Sequence, residues 1–187
     1  MKLLDTTLPE VLLIQPKVFG DNRGFFLETF HAERYVEIGI TLPFVQDNHS
    51  RSARGVLRGL HFQHPYAQGK LMGVGRGEVF DVAVDIRRGS PNFGCWFGAV
   101  LSDRNHHQMY IPPGFAHGFC VLSEEADFFY KCTDFYHPET EGGVAWDDDD
   151  IGIDWPVKTP SLSEKDKKLS CLKDVDEASL PVYEGKP

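Results

Sequence analysis

Apolar and polar residues alternate in short runs along most of the chain, which is the pattern of half-buried strands. The clearest run is Glu78-Val79-Phe80-Asp81-Val82-Ala83-Val84-Asp85-Ile86. On a period of two, Phe80, Val82, Val84 and Ile86 share one face, and Val79, Asp81, Ala83 and Asp85 the other. Cys95 to Leu101 reads as another strand. So does Asp127 to Tyr136, with Phe128, Tyr130, Cys132 and Asp134 on one face. Residues 11–19, 43–48, 56–63, 70–75, 108–111 and 118–122 complete the strand set. Helix is expected only over about His31 to Ile38, stopped by Gly39, and in a short turn from Ser163 to Leu169. Many strands with little helix point to a sandwich or barrel.

The 187 residues suit one domain, and the 18 glycines and 12 prolines are spread along the chain rather than pooled in a linker. The net charge of −9 argues against a nucleic-acid binder, though a few clustered cations can still hold a small anion. No apolar run is long enough to span a membrane, and Asp5, Pro9 and Glu10 interrupt any signal peptide. A cytoplasmic protein is the expectation. Cys95, Cys120, Cys132 and Cys171 form no C-x-x-C pair and read as free thiols; the flanks of the first three suit buried positions.

Several motifs carry no chemistry. Gly73-Val74-Gly75-Arg76-Gly77 lacks the G-x-G-x-x-G spacing and precedes a strand, so it reads as a β-turn rather than a phosphate loop. Asp147 to Asp150 lacks the pattern of a calcium loop and reads as a solvated turn. His61 and His64, three apart, fall on opposite faces of a strand and make a poor metal pair. Pro112-Pro113-Gly114-Phe115-Ala116-His117 is more informative. P-x-G-x-x-H is half of the signature of the cupin superfamily, a double-stranded β-helix in which the His starts a strand pointing into the barrel mouth.

Further segments stand beside it: Asp21-Asn22-Arg23-Gly24-Phe25-Phe26-Leu27-Glu28, Gln46-Asp47-Asn48-His49-Ser50, Gly55-Val56-Leu57-Arg58-Gly59-Leu60-His61-Phe62-Gln63, Gln68-Gly69-Lys70, Tyr130-Lys131-Cys132-Thr133 and Leu162-Ser163-Glu164-Lys165-Asp166. In this order they resemble the dTDP-4-dehydrorhamnose 3,5-epimerase family over about residues 1 to 170. The resemblance implies an all-β double-stranded β-helix (cupin, or jelly roll) with an N-terminal β arm and a short helical C-terminal tail. It divides the chain, as one domain, into about 1–50 for the arm and dimer-contacting strands, 51–145 for the core and 146–187 for the tail.

The family's substrate is a nucleotide-linked 4-keto-6-deoxy sugar, dTDP-4-dehydro-6-deoxy-D-glucose, inverted at C3 and C5. Protons at those carbons are acidic only because the ketone can take up charge as an enolate. Such a reaction needs a base on one face, an acid on the other and a cation or donor at the oxygen, with no metal or redox cofactor. By resemblance, His61 is the base and Asp166 its partner, although Ser163-x-x-Asp166 alone also reads as a helix cap. Tyr130 is the implied acid, and Lys70 and His117 meet the ketone oxygen. Arg23 and Arg58 match positions that contact phosphate and nucleotide. Glu28, Gln46, Asp47, Asn48 and Glu141 match further ligand-binding positions. Lys165 stands where many members have Arg, keeping the charge but losing the fork.

Arg58 and His61 have opposite parity on an ideal strand. Gly59 could form a bulge that realigns them, or Arg58 could reach around an edge. The resemblance also implies a homodimer with exchanged arms, so that Arg23 and Glu28 serve the partner's site. Rival readings are an epimerase of C3 or C5 alone or of another dTDP-4-ketosugar, a metal-dependent cupin dioxygenase and a non-enzymatic sugar binder.

Overall fold

The computed structural model describes residues 1–185. Its strands are β1 (Lys2–Leu4), β2 (Leu12–Gln15), β3 (Val18–Asp21), β4 (Gly24–Leu27), β5 (Gln46–Ala53), β6 (Leu57–Gln63), β7 (Lys70–Arg76), β8 (Glu78–Asp85), β9 (Trp96–Ser102), β10 (Gln108–Ile111), β11 (Phe115–Val121), β12 (Glu125–Cys132) and β13 (Glu141–Gly143). One helix, α1 (Ala32–Glu37), lies between β4 and β5. The tail holds 3-10 turns at Asp166–Lys168, Leu172–Asp174 and Glu177–Ser179.

Two antiparallel sheets face each other. One runs β1-β2-β10-β7-β12-β5 and the other β13-β6-β11-β8-β9. Between them Met72, Val74, Met109 and Phe128 of the first pack on Val79, Ala83, Phe115 and Phe119 of the second. The outer face of the five-stranded sheet, with Val82, Val84 and Leu60, is covered by Trp155, Leu172 and Leu180 of the tail. Tyr35 of α1 and Ile40 cover Leu71 and Tyr110 on the outside of the other sheet. Both sheets therefore have apolar residues packed on their outer as well as their inner faces.

Several expected bounds move. Residues 11–19 split into β2 and β3, because Pro16 lacks the N–H a continuous ladder requires. The segment at 43–48 forms its strand later, at 46–53, and β12 ends at Cys132, short of Tyr136. β11 begins earlier than expected, at Phe115. The stretch Gly73 to Arg76 is strand rather than turn, and only Gly77, at φ +83°, makes the turn into β8. Gly75 is needed there because a Cβ would lie 2.6 Å from the Phe129 ring. Cys95 is exposed rather than buried, while Cys120 and Cys132 are buried. The acidic turn holds one inward residue: Asp148, 3% exposed, accepts from the Leu172 amide at 2.6 Å.

β3 and β4 form a separate hairpin. It exposes Phe19, Phe25 and Phe26, the last at 70%. Phe26 and Phe25 are the most exposed large apolar side chains among the described residues.

Candidate active site

The inner faces of the two sheets meet in a cleft of about 470 Å³. β6 and β11 form its floor, with His61 directly opposite His117 in the register. The next matched pair is Arg58 with Phe119, so three steps on β6 answer two on β11. This is a bulge at Gly59, where φ is +118°. The extra residue lets Leu57, Leu60 and Phe62 all face the tail-side core while Arg58 and His61 both line the cleft. Of the two routes left open by the sequence, the strand takes the bulge.

Each floor histidine holds a carboxylate. His61 Nε2 lies 2.7 Å from Asp166 Oδ1, and His117 Nε2 lies 2.6 Å from Asp81 Oδ1. The Asp166 amide donates to Ser163 Oγ at 3.0 Å, so Ser163 caps the turn while the Asp166 carboxylate reaches the ring. Capping and dyad coexist. Burial alone would raise the Asp166 carboxyl; bonds with His61 and Ser163 and from the Gly59 amide hold it below its ordinary value.

Lys70 on β7 and Tyr130 on β12 form the opposite wall. Burial pushes the Lys70 ammonium down, opposed by Cys132, Glu141 and Asp81. Burial also pushes the His117 ring down, opposed by Asp81, and pushes the Tyr130 phenol up, which keeps it protonated. At the mouth Lys165 lies 2.5 Å from Glu141, and the Tyr136 hydroxyl donates to Glu141 at 2.7 Å. Burial opposes the Glu141 charge, but Lys165 and Tyr136 hold the carboxyl below its usual range. Arg58 donates to Ser52 Oγ at 3.0 Å. A second chamber of about 310 Å³ shares His61, Lys70, Tyr130 and Glu141 and adds Gln46, Asn48 and Gln68.

Three expected ligand residues lie elsewhere. Asp47 alternates away from Gln46 and Asn48 onto the outer face of β5, where it meets Lys131 at 3.0 Å. Glu28 pairs with Arg34 at 2.7 Å. Arg23 sits at the hairpin turn, bonded to Asp21 at 2.6 Å, with its side chain 86% exposed. His64 falls beyond the end of β6 and does not line the cleft.

Ser50 and Tyr136 line the cleft and Asp81 lies buried behind His117, and sequence reasoning assigned none of the three to the site. Asp81 carried a usable signal, a carboxylate set between Val79 and Ala83 on one face of its strand. Its neighbours Val79 and Ala83 face the inter-sheet core, so Asp81 had to face it too. Among the described residues no group of three His, Cys, Asp or Glu side chains is arranged to hold a metal ion.

Comparison with known proteins agrees over nearly the whole chain. The family model for dTDP-4-dehydrorhamnose 3,5-epimerase matches residues 5–174. The enzyme of that name from Shigella flexneri is 57% identical, over 89% of this chain and 93% of its own. The Pseudomonas aeruginosa enzyme is 56% identical, over 94% and 98%. The crystal structure of dTDP-6-deoxy-D-glucose-3,5-epimerase from Legionella pneumophila, in complex with dTDP-4-keto-L-rhamnose, superposes with a TM-score of 0.96 at 54% identity, covering 98% of this chain and 99% of that one. With its jelly roll, its two His–Asp pairs and these relatives, the chain belongs to the dTDP-4-dehydrorhamnose 3,5-epimerase family.

Proposed function

We propose that the cleft epimerises dTDP-4-dehydro-6-deoxy-D-glucose at C3 and C5, giving dTDP-4-dehydro-L-rhamnose in dTDP-L-rhamnose biosynthesis. The observation that carries this reading is a single cleft in which the His61–Asp166 pair faces Lys70, His117 and Tyr130. His61 takes the proton. With Nε2 committed to Asp166, Nδ1 is the nitrogen free to receive it, and the carboxylate offsets the imidazolium that forms. Lys70 and His117 meet the charge that moves onto the ketone oxygen. Tyr130, held protonated by burial, returns a proton from the other face. The enolate charge is met by side chains, so chelation should leave turnover unchanged.

The diphosphate is read onto Arg58 and Lys165 at the mouth. Arg23 and Glu28 lie outside the cleft of their own chain, on and beside a hairpin that exposes Phe19, Phe25 and Phe26. We assign that hairpin to the partner of a homodimer, where Arg23 would reach the partner's ligand. The unpaired cysteines suit a reducing compartment, and no described helix is long and apolar enough to cross a membrane. We place the enzyme in the cytoplasm.

Proton NMR in deuterium oxide tests the reaction. The ketosugar should take up deuterium at both C3 and C5 as inverted product accumulates. Exchange at one carbon alone would reassign the enzyme as a single-centre epimerase. No exchange at either carbon would remove the reading.

A further inference from the structure

His117 and Asp81 form a second histidine–carboxylate pair beside the first. His117 is 9% exposed and Asp81 is fully buried. Phe119 and Phe128 lie beside the ring at 6.3 and 6.1 Å between centroids. The groups that face it are Asp81 from β8, Lys70 from β7 and His61 from β6. Asp81 Oδ2 is buried and finds no hydrogen-bond partner among the described residues.

The hydrogen bond fixes the chemistry of the ring. A carboxylate only accepts, so the proton in the 2.6 Å contact belongs to His117 Nε2. A neutral ring then presents a bare lone pair at Nδ1. Such a ring cannot donate to a ketone oxygen; only the imidazolium, with Nδ1–H, can. Burial disfavours that cation, and Asp81 is the anion placed against it.

We propose that Asp81 is a positioning residue for the epimerisation: it fixes the His117 ring with Nε2–H toward itself and supplies the charge that lets His117 donate from Nδ1 to the oxygen as the enolate forms. No proton passes to Asp81. His117 takes its second proton from solvent before the sugar enolises and keeps it at Nδ1, while the proton lost from carbon goes to His61. The proposal rests on the assignment of His117 to the ketone oxygen.

Asp81→Asn keeps the shape and removes the charge. The expected result is a kcat reduced by roughly 100-fold or more, with KM changed far less. Deuterium uptake at C3 and at C5 should fall with it, because enolisation precedes both. The alkaline limb of the kcat profile should move to lower pH, since a ring without its anion holds the second proton less well. Asp81→Glu should restore part of the rate. A wild-type kcat, or a loss of thermal stability with an unchanged pH profile, would overturn the proposal. Nitrogen-15 NMR of histidine-labelled wild-type protein gives a measurement independent of the variant's folding. It should find the neutral His117 ring protonated at Nε2, and protonation at Nδ1 instead would overturn the proposal. If the wild type leaves the ketosugar unexchanged, the functional reading fails, and the ring tautomer still decides what Asp81 does.

Discussion

The Ser163 hydroxyl accepts the Asp166 amide at 3.0 Å, and this bond leaves the Asp166 carboxylate free to hold His61. A turn cap and the carboxylate that holds His61 are thus built from one four-residue segment. Ser163→Ala should loosen the turn by about 1 kcal/mol. If all of that fell on the dyad, the rate would drop by roughly fivefold. Steady-state kinetics check this; a wild-type kcat would show that the turn is held by its other bonds, such as the Lys167 amide to the Ser163 carbonyl at 3.1 Å.

His61→Asn should fold normally, because an amide replaces a ring on a strand already anchored by Leu60 and Phe62. Activity should fall by about 10² or more, the usual worth of a general base. A folded variant with near-normal turnover would take the base role away from His61.

Tyr130→Phe removes only a hydroxyl and should spare packing against Phe128, whose ring centroid lies 6.0 Å away. Deuterium should still wash into the substrate through His61 while inverted product fails to accumulate. Comparing exchange with net conversion by NMR separates the two steps. Normal conversion would assign the acid elsewhere.

Away from the cleft, Asp127 binds Arg51 at 2.8 Å and His49 at 2.9 Å. Chiefly through the bond from Arg51, its carboxyl is lowered from 3.8 to about 2. The contribution to stability is complete above the ordinary value and is lost as pH falls from there toward 2. Asp127→Asn should therefore flatten this part of the acid limb of a stability profile. Chemical denaturation at pH 6 and at pH 3 reads it. A wild-type difference between those two pH values, retained in the variant, would put the limb on other carboxylates.

Mixing Arg23→Ala with His61→Asn tests the exchanged hairpin. Each parent should be impaired, the first mainly in substrate binding, because a charge-assisted phosphate contact is worth roughly 1.5–3 kcal/mol. In a heterodimer one site has both native residues. Activity at low substrate should therefore rise once tagged pull-down shows that subunits have exchanged. Proven heterodimers with no gain would return Arg23 to its own chain or remove it from the ligand.

The readability of the sequence follows from which faces are buried. β10 at 108–111 and the run over β8 stood out because their apolar residues are dense. β5 did not, because its inner residues Gln46, Asn48 and Ser50 face the cleft region and its outer residues Asp47, His49 and Arg51 face the exterior. A strand polar on both sides has no hydrophobic period to detect. The roles of His61, Lys70, Tyr130 and Asp166 came from motif order alone, since nothing local marks residues 105 positions apart as partners. Asp81 was missed because no motif marked it, although it stood with Asp85 among the apolar residues of one face of its strand.

The extra residue at Gly59 acts as a phase shifter. Upstream of it Leu57 packs and Arg58 reaches the ligand side; downstream Leu60 and Phe62 pack and His61 reaches it. Deleting one residue there would exchange core and cleft for every position on one side of the break. Adding a side chain would be no milder, for a Cβ at Gly59 would sit 2.6 Å from Gly118 Cα and from the His117 carbonyl oxygen. Strand β6 can thus be neither shortened by one residue nor given a side chain at that point, so its length and its glycine are set by the need to bring Arg58 and His61 into one cleft.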